Sequence, residues 1–404
     1  MKILFLTDNF PPEVNAPAER TYEHALQWVK LGHDVTVVTT APNFPIGKVY
    51  PGYKNKLWQK EILGGIQVIR IWSYIVANQG ILRRILDQLS FIPGAVLAGL
   101  FVKSDVIIAT SPQFFTVWAG YLLSVFKRKP WVFELRDLWP ESIKAVGAMK
   151  DGIILNFLEK IEIFLYKRAR LIIALTSAFK ANLINRGIDE EKIVVIPNGV
   201  NRDMFYPRSR DEKIISSLRL RDTFVVVYIG THGMAHGLDF IVSCLPELKE
   251  SNIHFLFIGD GAEKKKVKEQ AAILGLDNCT FLDMVPKEEV IRYMSIADAA
   301  LVPLKRMDTF KTVLPSKIFE AAGMGKPILL GVNGHAREII EKYDAGLFFE
   351  PENKKAFIEA VHLLCSDKQL YVRLQLGCER LSRDFDRKKL AIKMAEELEC
   401  LIRK

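Results

Sequence analysis

Short apolar segments without polar alternation recur along the first half of the chain. They lie at residues 2–7, 34–40, 66–72, 106–110, 131–135, 171–175 and 193–197. Segments of helical length, such as 18–31, 114–126 and 153–168, separate them. Unalternating strands between helices are typical of a parallel sheet that is buried on both faces. The first half of the chain therefore predicts a doubly wound α/β domain.

The same pattern starts again near residue 224. Further strands are predicted at 224–230, 253–259, 279–282, 299–303, 328–331 and 347–349. The segment 197–220 between the two series holds Pro197, Gly199 and Pro207 without clear periodicity, which is typical of an interdomain linker.

We therefore predict an α/β protein with two Rossmann-like doubly wound domains, residues 1–204 and 205–380, facing each other across a cleft. A charged helix over 381–404, starting near residue 380, can cross back onto the first domain. Ligands of open α/β sheets bind outside the carboxyl ends of the strands. The active site is expected in the cleft.

Composition narrows the class of protein. The 404 residues are 49% hydrophobic and 25% charged, as in soluble globular proteins. Five widely spaced cysteines without a C-x-x-C pair argue against a disulfide framework and a structural zinc site. The first apolar run ends at Asp8, too early for a signal peptide, and the longest uncharged apolar stretch, 91–102, is short of the roughly 20 residues that span a bilayer. We expect a cytoplasmic protein.

Positive charge is concentrated in the first half of the chain. The net charge is +9, and residues 1–200 hold 24 Lys and Arg against 17 Asp and Glu, together with all six tryptophans. Basic and aromatic surface suits anionic lipid, nucleic acid or a pyrophosphate-bearing substrate. The alternative is that the tryptophans lie in the core and the lysines are exposed to solvent, without any such ligand.

The segment 314–327, LPSKIFEAAGMGKP, is the most specific in the chain and lies between two predicted strands. Pro315 at the entry, Ser316 as a candidate N-cap and the helix that follows would present backbone amides to a phosphate. Lys317 adds a full positive charge. The Glu320 carboxylate can accept hydrogen bonds from both hydroxyls of a ribose. The structural alternative is a capping box formed by Ser316 and Glu320.

Three loops follow the first strands of the second domain. The loop 230–237, GTHGMAHG, is glycine-rich where a phosphate would approach the backbone. Gly261 belongs to a Gly-Asp-Gly turn after the next strand, and Met284 and Val285 offer an apolar wall after the third. These loops would share the carboxyl edge of one sheet with the segment 314–327. Ordinary turn and loop packing is the alternative for each of them.

On these segments the whole chain resembles the retaining glycosyltransferases of family 4, which have the GT-B fold. The resemblance implies that Glu320 binds the ribose of a nucleotide-sugar donor and that amides of Ser316, Lys317 and Ile318 bind the diphosphate. It also puts Gly261 near the nucleotide and Met284 with Val285 against a uracil ring.

The second domain departs from the family pattern at three positions. Thr312 stands where family members have the first of two glutamates, which holds the donor sugar. Thr231 and His236 stand where they have an arginine and a lysine on the pyrophosphate. Neutralising the leaving diphosphate then falls to Lys317, the amides of the loop that begins Gly230-Thr231-His232-Gly233, and His232. His236 is equally well explained as a structural histidine.

The first domain carries a charged segment, 134–141, directly after a buried strand. By the same resemblance Arg136 takes the place of a histidine near the donor sugar, and Asp137 matches the aspartate that follows it. An ion pair of Arg136 with Glu134 or Asp137 is the structural alternative. In the loop 9–20, Asn15 and Ala16 replace a pair of glycines, and Arg20 on the first helical turn stays available for substrate.

No strand-bounded Asp-x-Asp is present, since the one instance, 384–386, falls in the predicted C-terminal helix, and zinc-protease, P-loop and hydrolase motifs are absent. We expect no metal and no cofactor.

The resemblance then implies retaining transfer of a hexose or N-acetylamino sugar from a nucleotide diphosphate, UDP in the first place, to a glycan or polyprenyl-pyrophosphate-linked acceptor, with no nucleic acid involved. The Pro-Ser-Lys version of the loop is similar to that of bacterial enzymes that add amino and deoxy-amino sugars to surface polysaccharides such as O-antigen and capsule. The alternatives are a GT-B-like nucleotide-sugar epimerase and a non-catalytic nucleotide-sugar-binding protein. A dehydrogenase would need a G-x-G-x-x-G after a first strand, which neither domain has.

Residues 81–103 combine apolar positions at helical spacing with Arg83, Arg84 and Lys103, and 127–129 add Lys-Arg-Lys. A basic amphipathic helix can lie in an anionic leaflet, which predicts peripheral binding at the inner face of the plasma membrane. The alternative is a buried helix that covers the first sheet, because Pro93 and Gly94 would break a continuous surface helix.

Overall fold

The computed structural model describes residues 1–44, 47–76, 81–111, 114–138 and 152–403. The chain forms two compact units. One comprises Met1–Pro197 together with Arg387–Lys404, and the other comprises Asn198–Asp386. These divisions fall near, but not at, the boundaries expected from the sequence.

The first unit contains one sheet, whose strands run in the order β3-β4-β2-β1-β5-β6-β7-β8. The strands are β1 (Lys2–Leu6), β2 (Asp34–Thr40), β3 (Trp58–Leu63), β4 (Ile66–Ile71), β5 (Val106–Thr110), β6 (Trp131–Leu135), β7 (Leu171–Ala174) and β8 (Ile193–Val195). Neighbouring strands are parallel except β3, which pairs antiparallel with β4. The sequence prediction missed β3, because this exposed edge strand carries polar residues and lacks the apolar run of a buried strand.

Helices cover both faces of this sheet. They are α1 (Ala16–Lys30), α2 (Ile81–Leu100), α3 (Phe114–Lys127), α4 (Ile153–Arg168), α5 (Ser177–Asn185) and, from the end of the chain, α14 (Arg387–Arg403). The helices α1 and α14 share a core with one face of the sheet, and α2, α3 and α4 share a core with the other. The indole nitrogen of Trp28 on α1 donates a 2.8 Å hydrogen bond to the carbonyl of Ala391 on α14. The last helix is thus an integral part of the first unit.

The second unit contains an all-parallel sheet with the order β11-β10-β9-β12-β13-β14. Its strands are β9 (Phe224–Ile229), β10 (Ile253–Ile258), β11 (Cys279–Leu282), β12 (Ala299–Pro303), β13 (Ile328–Gly331) and β14 (Gly346–Phe348). Its helices are α6 (Glu212–Leu218), α7 (Leu238–Cys244), α8 (Lys264–Ile273), α9 (Lys287–Ile296), α10 (Lys317–Gly323), α11 (His335–Tyr343), α12 (Lys354–Ser366) and α13 (Lys368–Asp384). Both units therefore have the predicted doubly wound architecture.

The prediction of a linker over 197–220 was wrong. Val200, Phe205, Ile214 and Ile215 are buried in the core of the second unit, and the segment contains α6. These apolar residues are spaced irregularly along a mostly extended segment, so no helical or strand period marks them.

The prediction of one continuous C-terminal helix was also wrong. The chain leaves the helical path at Phe385 and Asp386, between α13 and α14. The Phe385 ring packs 4.8 Å from the ring of Phe319, and its carbonyl accepts a 2.9 Å hydrogen bond from the amide of Val200. The Asp384-Phe385-Asp386 segment therefore lies at a junction between two helices.

Helix α2 continues through Pro93, so the expected break does not occur. Phe91, Ala95 and Ala98 are buried against the sheet. Gly94 lets the helix close on the sheet, since a β-carbon there would lie 3.0 Å from Ile71 Cδ1. Across the part of the chain that the structure describes, no helix is both long and apolar enough to cross a membrane.

Candidate functional site

The predicted donor-site residues of the second unit follow four adjacent strands. Loop 230–237 follows β9, Gly261 follows β10, Met284 follows β11, and α10 begins after β12. Strand β9 lies between β10 and β12, so the order of the sheet reverses there. In open α/β sheets this reversal point is where ligands bind.

Lys317 at the start of α10 lies directly against Gly230 at the end of β9. A β-carbon on Gly230 would lie 2.6 Å from Cε and 2.7 Å from Nζ of Lys317. Gly230 also has a φ of 139°, a conformation that side-chain-bearing residues rarely adopt. The glycine at this position thus lets the lysine reach the backbone at the carboxyl end of the central strand.

The Lys317 ammonium rests on the ring of Tyr228. Nζ lies 3.9 Å from the ring centroid. Tyr228 is buried in β9, and its hydroxyl donates a 2.5 Å hydrogen bond to the carbonyl of Thr231. Tyr228 was not among the predicted site residues. Its hydroxyl in an otherwise apolar strand, two residues before Gly230, was the available signal.

Lys317 is a cation without an anionic hydrogen-bond partner among the described residues. Burial lowers the pKa of Lys317 to about 7, and the nearby Glu320 carboxylate only partly opposes this shift. An anionic ligand at this place would restore the charged form, because it would stabilise the ammonium electrostatically. The geometry therefore suits a phosphate.

The loops after β9 and β10 are joined by backbone hydrogen bonds of His232. The His232 amide donates to the carbonyl of Asp260 at 2.8 Å, and the His232 carbonyl accepts from the amide of Glu263 at 2.9 Å. A β-carbon on Gly261 would lie 2.5 Å from the His232 carbonyl oxygen. Gly261 therefore permits the contact between the two loops.

The side chain of His232 is fully buried, and neither ring nitrogen has a hydrogen-bond partner in the described chain. Burial, with the positive charges of Lys264 and Lys317, lowers the pKa of His232 to about 4. Burial and Lys317 lower the pKa of His236 to about 4 as well. Both rings are neutral near pH 7, so His232 can offer a hydrogen bond but not the charge expected from the sequence. Lys317 alone of these three supplies a charge.

The predicted phosphate-binding amides are only partly available. The Ile318 amide donates to the Pro315 carbonyl at 3.2 Å, which corrects its assignment to the phosphate. Ser316 is the N-cap of α10 but makes no side-chain capping bond, so the capping-box alternative is wrong too. In the described chain the amides of Ser316 and Lys317 have no backbone acceptor.

The remaining donor-site residues are more dispersed. The Thr312 hydroxyl donates to the Thr309 carbonyl at 3.2 Å inside a short 3-10 helix, Asp308–Thr312. Met284 is 69% exposed at the end of β11, whereas Val285 packs against the core. Thr231 is exposed, and the carbonyl of Gly233 accepts from the amide of His236. None of these contacts joins them to Lys317.

In the first unit Arg136 is tied to the beginning of α1. Its amide donates to the Ser111 hydroxyl at 2.8 Å, and its guanidinium donates to the carbonyls of Pro17 and Ala16 at 3.2 and 3.1 Å. The partly exposed Asp137 follows it. Residues 139–141 of the same predicted motif lie outside the described ranges.

Glu134 forms its ion pair with Arg20 and not with Arg136, the partner in the structural alternative. Arg20 is buried and donates to Glu134 at 2.9 Å and to the carbonyls of Ile196 and Pro197 at 2.9 and 2.6 Å. Burial alone would raise the pKa of Glu134, but Arg20 and Arg136 outweigh it and hold the pKa below its usual range. The prediction that Arg20 stays available for substrate was therefore wrong. It joins the carboxyl ends of β6 and β8 to α1.

Asp8 is a second residue that the sequence analysis missed. It follows β1, the strand at which the order of the first sheet reverses. Its carbonyl accepts hydrogen bonds from the hydroxyls of Thr39 and Thr40. Burial raises the pKa of the Asp8 carboxyl to about 8, and Asp87 and Glu13 add to the shift.

Two family models together span most of the chain. Residues 18–204 match the model described as Glycosyltransferase Family 4, and residues 209–376 match the model described as Glycosyl transferases group 1. The chain belongs to the family 4 glycosyltransferases. The predicted family, and with it glycosyltransferase activity, is thereby confirmed.

Individual proteins are similar to this glycosyltransferase at low identity. A curated Escherichia coli protein, the putative colanic acid biosynthesis glycosyl transferase WcaI, is 22% identical over 89% of this chain and 91% of its own length. The structure of sucrose-phosphate synthase from Thermosynechococcus elongatus has a TM-score of 0.79 at 18% identity, covering 99% of this chain and 98% of that one. Anabaena HepE in complex with UDP-glucose has a TM-score of 0.73 at 20% identity, covering 99% and 100%. These structures share the GT-B fold of this glycosyltransferase.

Proposed function

We propose that this glycosyltransferase moves a hexose or an N-acetylamino sugar from UDP to a glycan or polyprenyl-pyrophosphate-linked glycan, with retention of configuration, in the synthesis of a bacterial surface polysaccharide. The observation that carries the donor assignment is the Lys317 ammonium, which lies against Gly230 at the carboxyl end of β9 and has no anionic hydrogen-bond partner among the described residues. The similarity to WcaI, named for colanic acid biosynthesis, and to HepE, crystallised with UDP-glucose, supports the choice of pathway and nucleotide.

Each donor contact has a named residue in this proposal. Lys317 and the amides of Ser316 and Lys317 bind the diphosphate, and the neutral His232 ring adds a hydrogen bond. Glu320 binds the ribose, and Met284 packs against the base. Arg136 and Asp137 keep the role that the family resemblance implies, contact with the transferred sugar. The reaction needs no metal or cofactor.

The transfer step needs charge stabilisation more than a side-chain base. The bond between the anomeric carbon and the diphosphate oxygen breaks, and the acceptor oxygen bonds to that carbon on the same face. The acceptor proton passes to the departing diphosphate oxygen. Negative charge on the diphosphate grows toward the transition state, so the Lys317 ammonium contributes most there.

We also propose that an apolar and basic surface of the first unit binds anionic lipid at the inner face of the plasma membrane. This surface, the α2–α3 face, consists of exposed side chains on both helices and just after them: Arg83, Leu86, Leu97, Phe101, Lys103, Val125, Phe126, Arg128 and Lys129. The same predicted segment includes Ile81, Leu82 and Arg84, whose side chains the structure does not describe. Basic charge beside exposed apolar side chains is the pattern of an interfacial helix.

Nucleotide binding tests the donor assignment. UDP should bind more tightly than UMP, because only UDP brings the second phosphate to Lys317. Lys317→Met should weaken UDP binding by roughly 10- to 100-fold, the value of a charge-assisted contact, and leave UMP binding nearly unchanged. Lys265→Met, at a lysine that is 90% exposed on α8, is the matched control and should change neither affinity. Calorimetric titration of the wild type and both variants with UDP and UMP measures all six constants.

Glu320→Ala tests the ribose contact separately. This variant should raise the KM for the donor and lower turnover with little effect on the melting temperature, since Glu320 is only partly buried. A screen of UDP, GDP, ADP, dTDP and NAD by thermal shift identifies the nucleotide, because a bound ligand stabilises the folded state. Stabilisation by NAD alone, or an unchanged KM and kcat in Glu320→Ala, would overturn these assignments.

A further inference from the structure

The buried ring of Tyr228 is packed on several sides in the second unit. The rings of His232 and His236 lie 5.6 and 5.9 Å from it, and that of Phe257 lies 6.4 Å away on the neighbouring strand β10. The ammonium of Lys317 occupies its face at 3.9 Å. The position of the ring is therefore fixed by its neighbours, and the ring can in turn fix the lysine.

We propose that Tyr228 is a positioning residue for glycosyl transfer, whose ring holds the Lys317 ammonium beside Gly230 for the departing diphosphate. This inference rests on the proposed function, because it assigns how the diphosphate-binding cation is held. Tyr228 itself does not touch the substrate.

The face of an aromatic ring holds a cation without neutralising it. A carboxylate partner would occupy the N–H donors of Lys317 and would compete with the diphosphate for them. The ring quadrupole attracts the ammonium electrostatically and leaves the N–H groups that point away from the ring free to donate. Tyr228 therefore keeps Lys317 in place while its charge stays available to an anion.

The titratable groups around Lys317 agree with this arrangement. His232 and His236 face it from the loop after β9, and their lowered pKa values keep both rings neutral near pH 7. Burial raises the pKa of Tyr228, so its phenol is neutral too. Glu320, on the same helix as Lys317, is the carboxylate whose charge acts on it. Lys317 is then partly deprotonated near neutral pH and takes up a proton when a diphosphate binds.

The test separates the contributions of the aromatic ring, the hydroxyl and the negative ring face at position 228. It does so both with Lys317 present and with Lys317 replaced. Tyr228→Phe, Tyr228→Leu and Tyr228→pentafluorophenylalanine are each made with Lys317 and with Lys317→Met. The pentafluoro ring keeps the shape of phenylalanine but lacks a negative face, so it tests the interaction even where Tyr228→Leu does not fold. Calorimetry gives the dissociation constants of UDP and UMP, and titrations at pH 8 in two buffers of different ionisation enthalpy give the protons taken up.

With Lys317 present, Tyr228→Phe should weaken UDP binding less than about threefold, while Tyr228→Leu and the pentafluoro variant should weaken it about five- to thirtyfold. The wild type and Tyr228→Phe should take up a proton with UDP, and Lys317→Met should not. In the Lys317→Met background the three substitutions at 228 should be equivalent within about twofold. UMP binding should stay constant throughout.

Two results would overturn the inference. Equal losses of UDP affinity with and without Lys317 would mean that Tyr228 acts only through the fold. Equal effects of Tyr228→Phe and the pentafluoro variant would mean that the ring face does not hold the ammonium. A different result, Lys317→Met binding UDP as tightly as the wild type, would overturn the proposed function of Lys317 itself.

Discussion

Gly230 and Lys317 occupy the same small space at the end of β9. The amine of the lysine lies where a side chain on residue 230 would begin, since a β-carbon there would be 2.7 Å from Nζ. Any side chain at position 230 would therefore collide with Lys317, the candidate phosphate-binding cation. The absence of a side chain at Gly230 is thus a requirement for the proposed binding of the diphosphate by Lys317.

Gly230→Ala should therefore weaken UDP binding without affecting UMP. The added methyl group displaces the Lys317 side chain, and we expect about a tenfold loss of UDP affinity, equal to about 1.4 kcal/mol. Strain at a φ of 139° should lower the melting temperature as well. Calorimetric titration with both nucleotides separates the two effects.

Gly275→Ala is the control for backbone strain. Gly275 also has a positive φ, 58°, but a β-carbon there meets nothing within 4 Å. This variant should lose stability and keep its UDP affinity. If Gly230→Ala and Gly275→Ala bound UDP equally well, the contact between residue 230 and Lys317 would have no role in binding.

Asp8→Asn should stabilise the first unit at pH 8 more than at pH 4. The pKa of the folded carboxyl is raised to about 8, so between its unfolded pKa near 3.9 and pH 8 the unfolded chain releases a proton that the folded chain retains. Stability thus falls as pH rises through this window, and asparagine removes the loss. We expect Asp8→Asn to raise the melting temperature by about 2–8 °C more at pH 8 than at pH 4.

Tryptophan fluorescence reports this unit selectively, because all six tryptophans precede residue 140. The control is Asp34→Asn at an exposed aspartate that begins β2. It should shift the melting temperature by the same small amount at both pH values. A pH-independent effect of Asp8→Asn would mean that the carboxyl is ionised in the folded protein at neutral pH.

Most strands were predictable from the sequence, since a strand covered on both faces of the sheet is mostly apolar. Strands β2, β5, β6, β11, β12 and β13 have the predicted bounds. The edge strand β3 and the buried residues of 198–220 were not predictable in the same way. Their burial depends on tertiary contacts, such as Phe205 in the core of the second unit, that leave no period in the sequence.

In the candidate site too, some residues could be predicted from the sequence and others could not. Gly230, Gly261 and Lys317 could be found because loops after parallel strands share one edge of a sheet, and the structure brings Gly230 to Lys317. Tyr228 was missed because its role depends on which side chain covers its ring. Arg20 was misassigned because its partner, Glu134, is more than a hundred residues away along the chain. Pairing of charges over such distances cannot be inferred from spacing.

Leu398→Ala should destabilise the first unit and spare nucleotide binding. Leu398 on α14 is fully buried in the core that α14 shares with α1 and the first sheet. Truncating such a leucine costs about 2–5 kcal/mol, which lowers the melting temperature of a unit of this size by roughly 5–20 °C. Tryptophan fluorescence should show the shift, while UDP affinity should stay within twofold at a temperature where both units are folded.

Ile402→Ala on the same helix is the matched control. Ile402 is 37% exposed, so its truncation should cost much less. Equal melting temperatures for the two variants would mean that α14 is not needed for the stability of the first unit.

The α2–α3 face should bind vesicles that contain anionic lipid. Lys127, which the sequence analysis included, donates to the carbonyls of Leu100 and Val102 and so secures the end of α2. We therefore leave it intact and replace Arg83, Lys103, Arg128 and Lys129 with glutamine. Each exposed cation contributes about 1 kcal/mol near an anionic surface, so the four changes should reduce co-sedimentation at least tenfold. High salt should have the same effect on the wild type.

The apolar part of this face is tested by Phe101→Ser with Phe126→Ser, at side chains that are 77% and 63% exposed. Removing them should weaken binding at every salt concentration, because insertion into the leaflet is not screened by ions. Ile273→Ser, at an 86% exposed residue of the second unit, and glutamine at the exposed Lys213, Lys265, Lys268 and Lys355 are the controls and should leave sedimentation unchanged. If the wild-type protein stayed in the supernatant at low salt, or if the controls reduced binding as strongly, the α2–α3 face would not be a membrane-binding surface, and a water-soluble acceptor would be the better proposal.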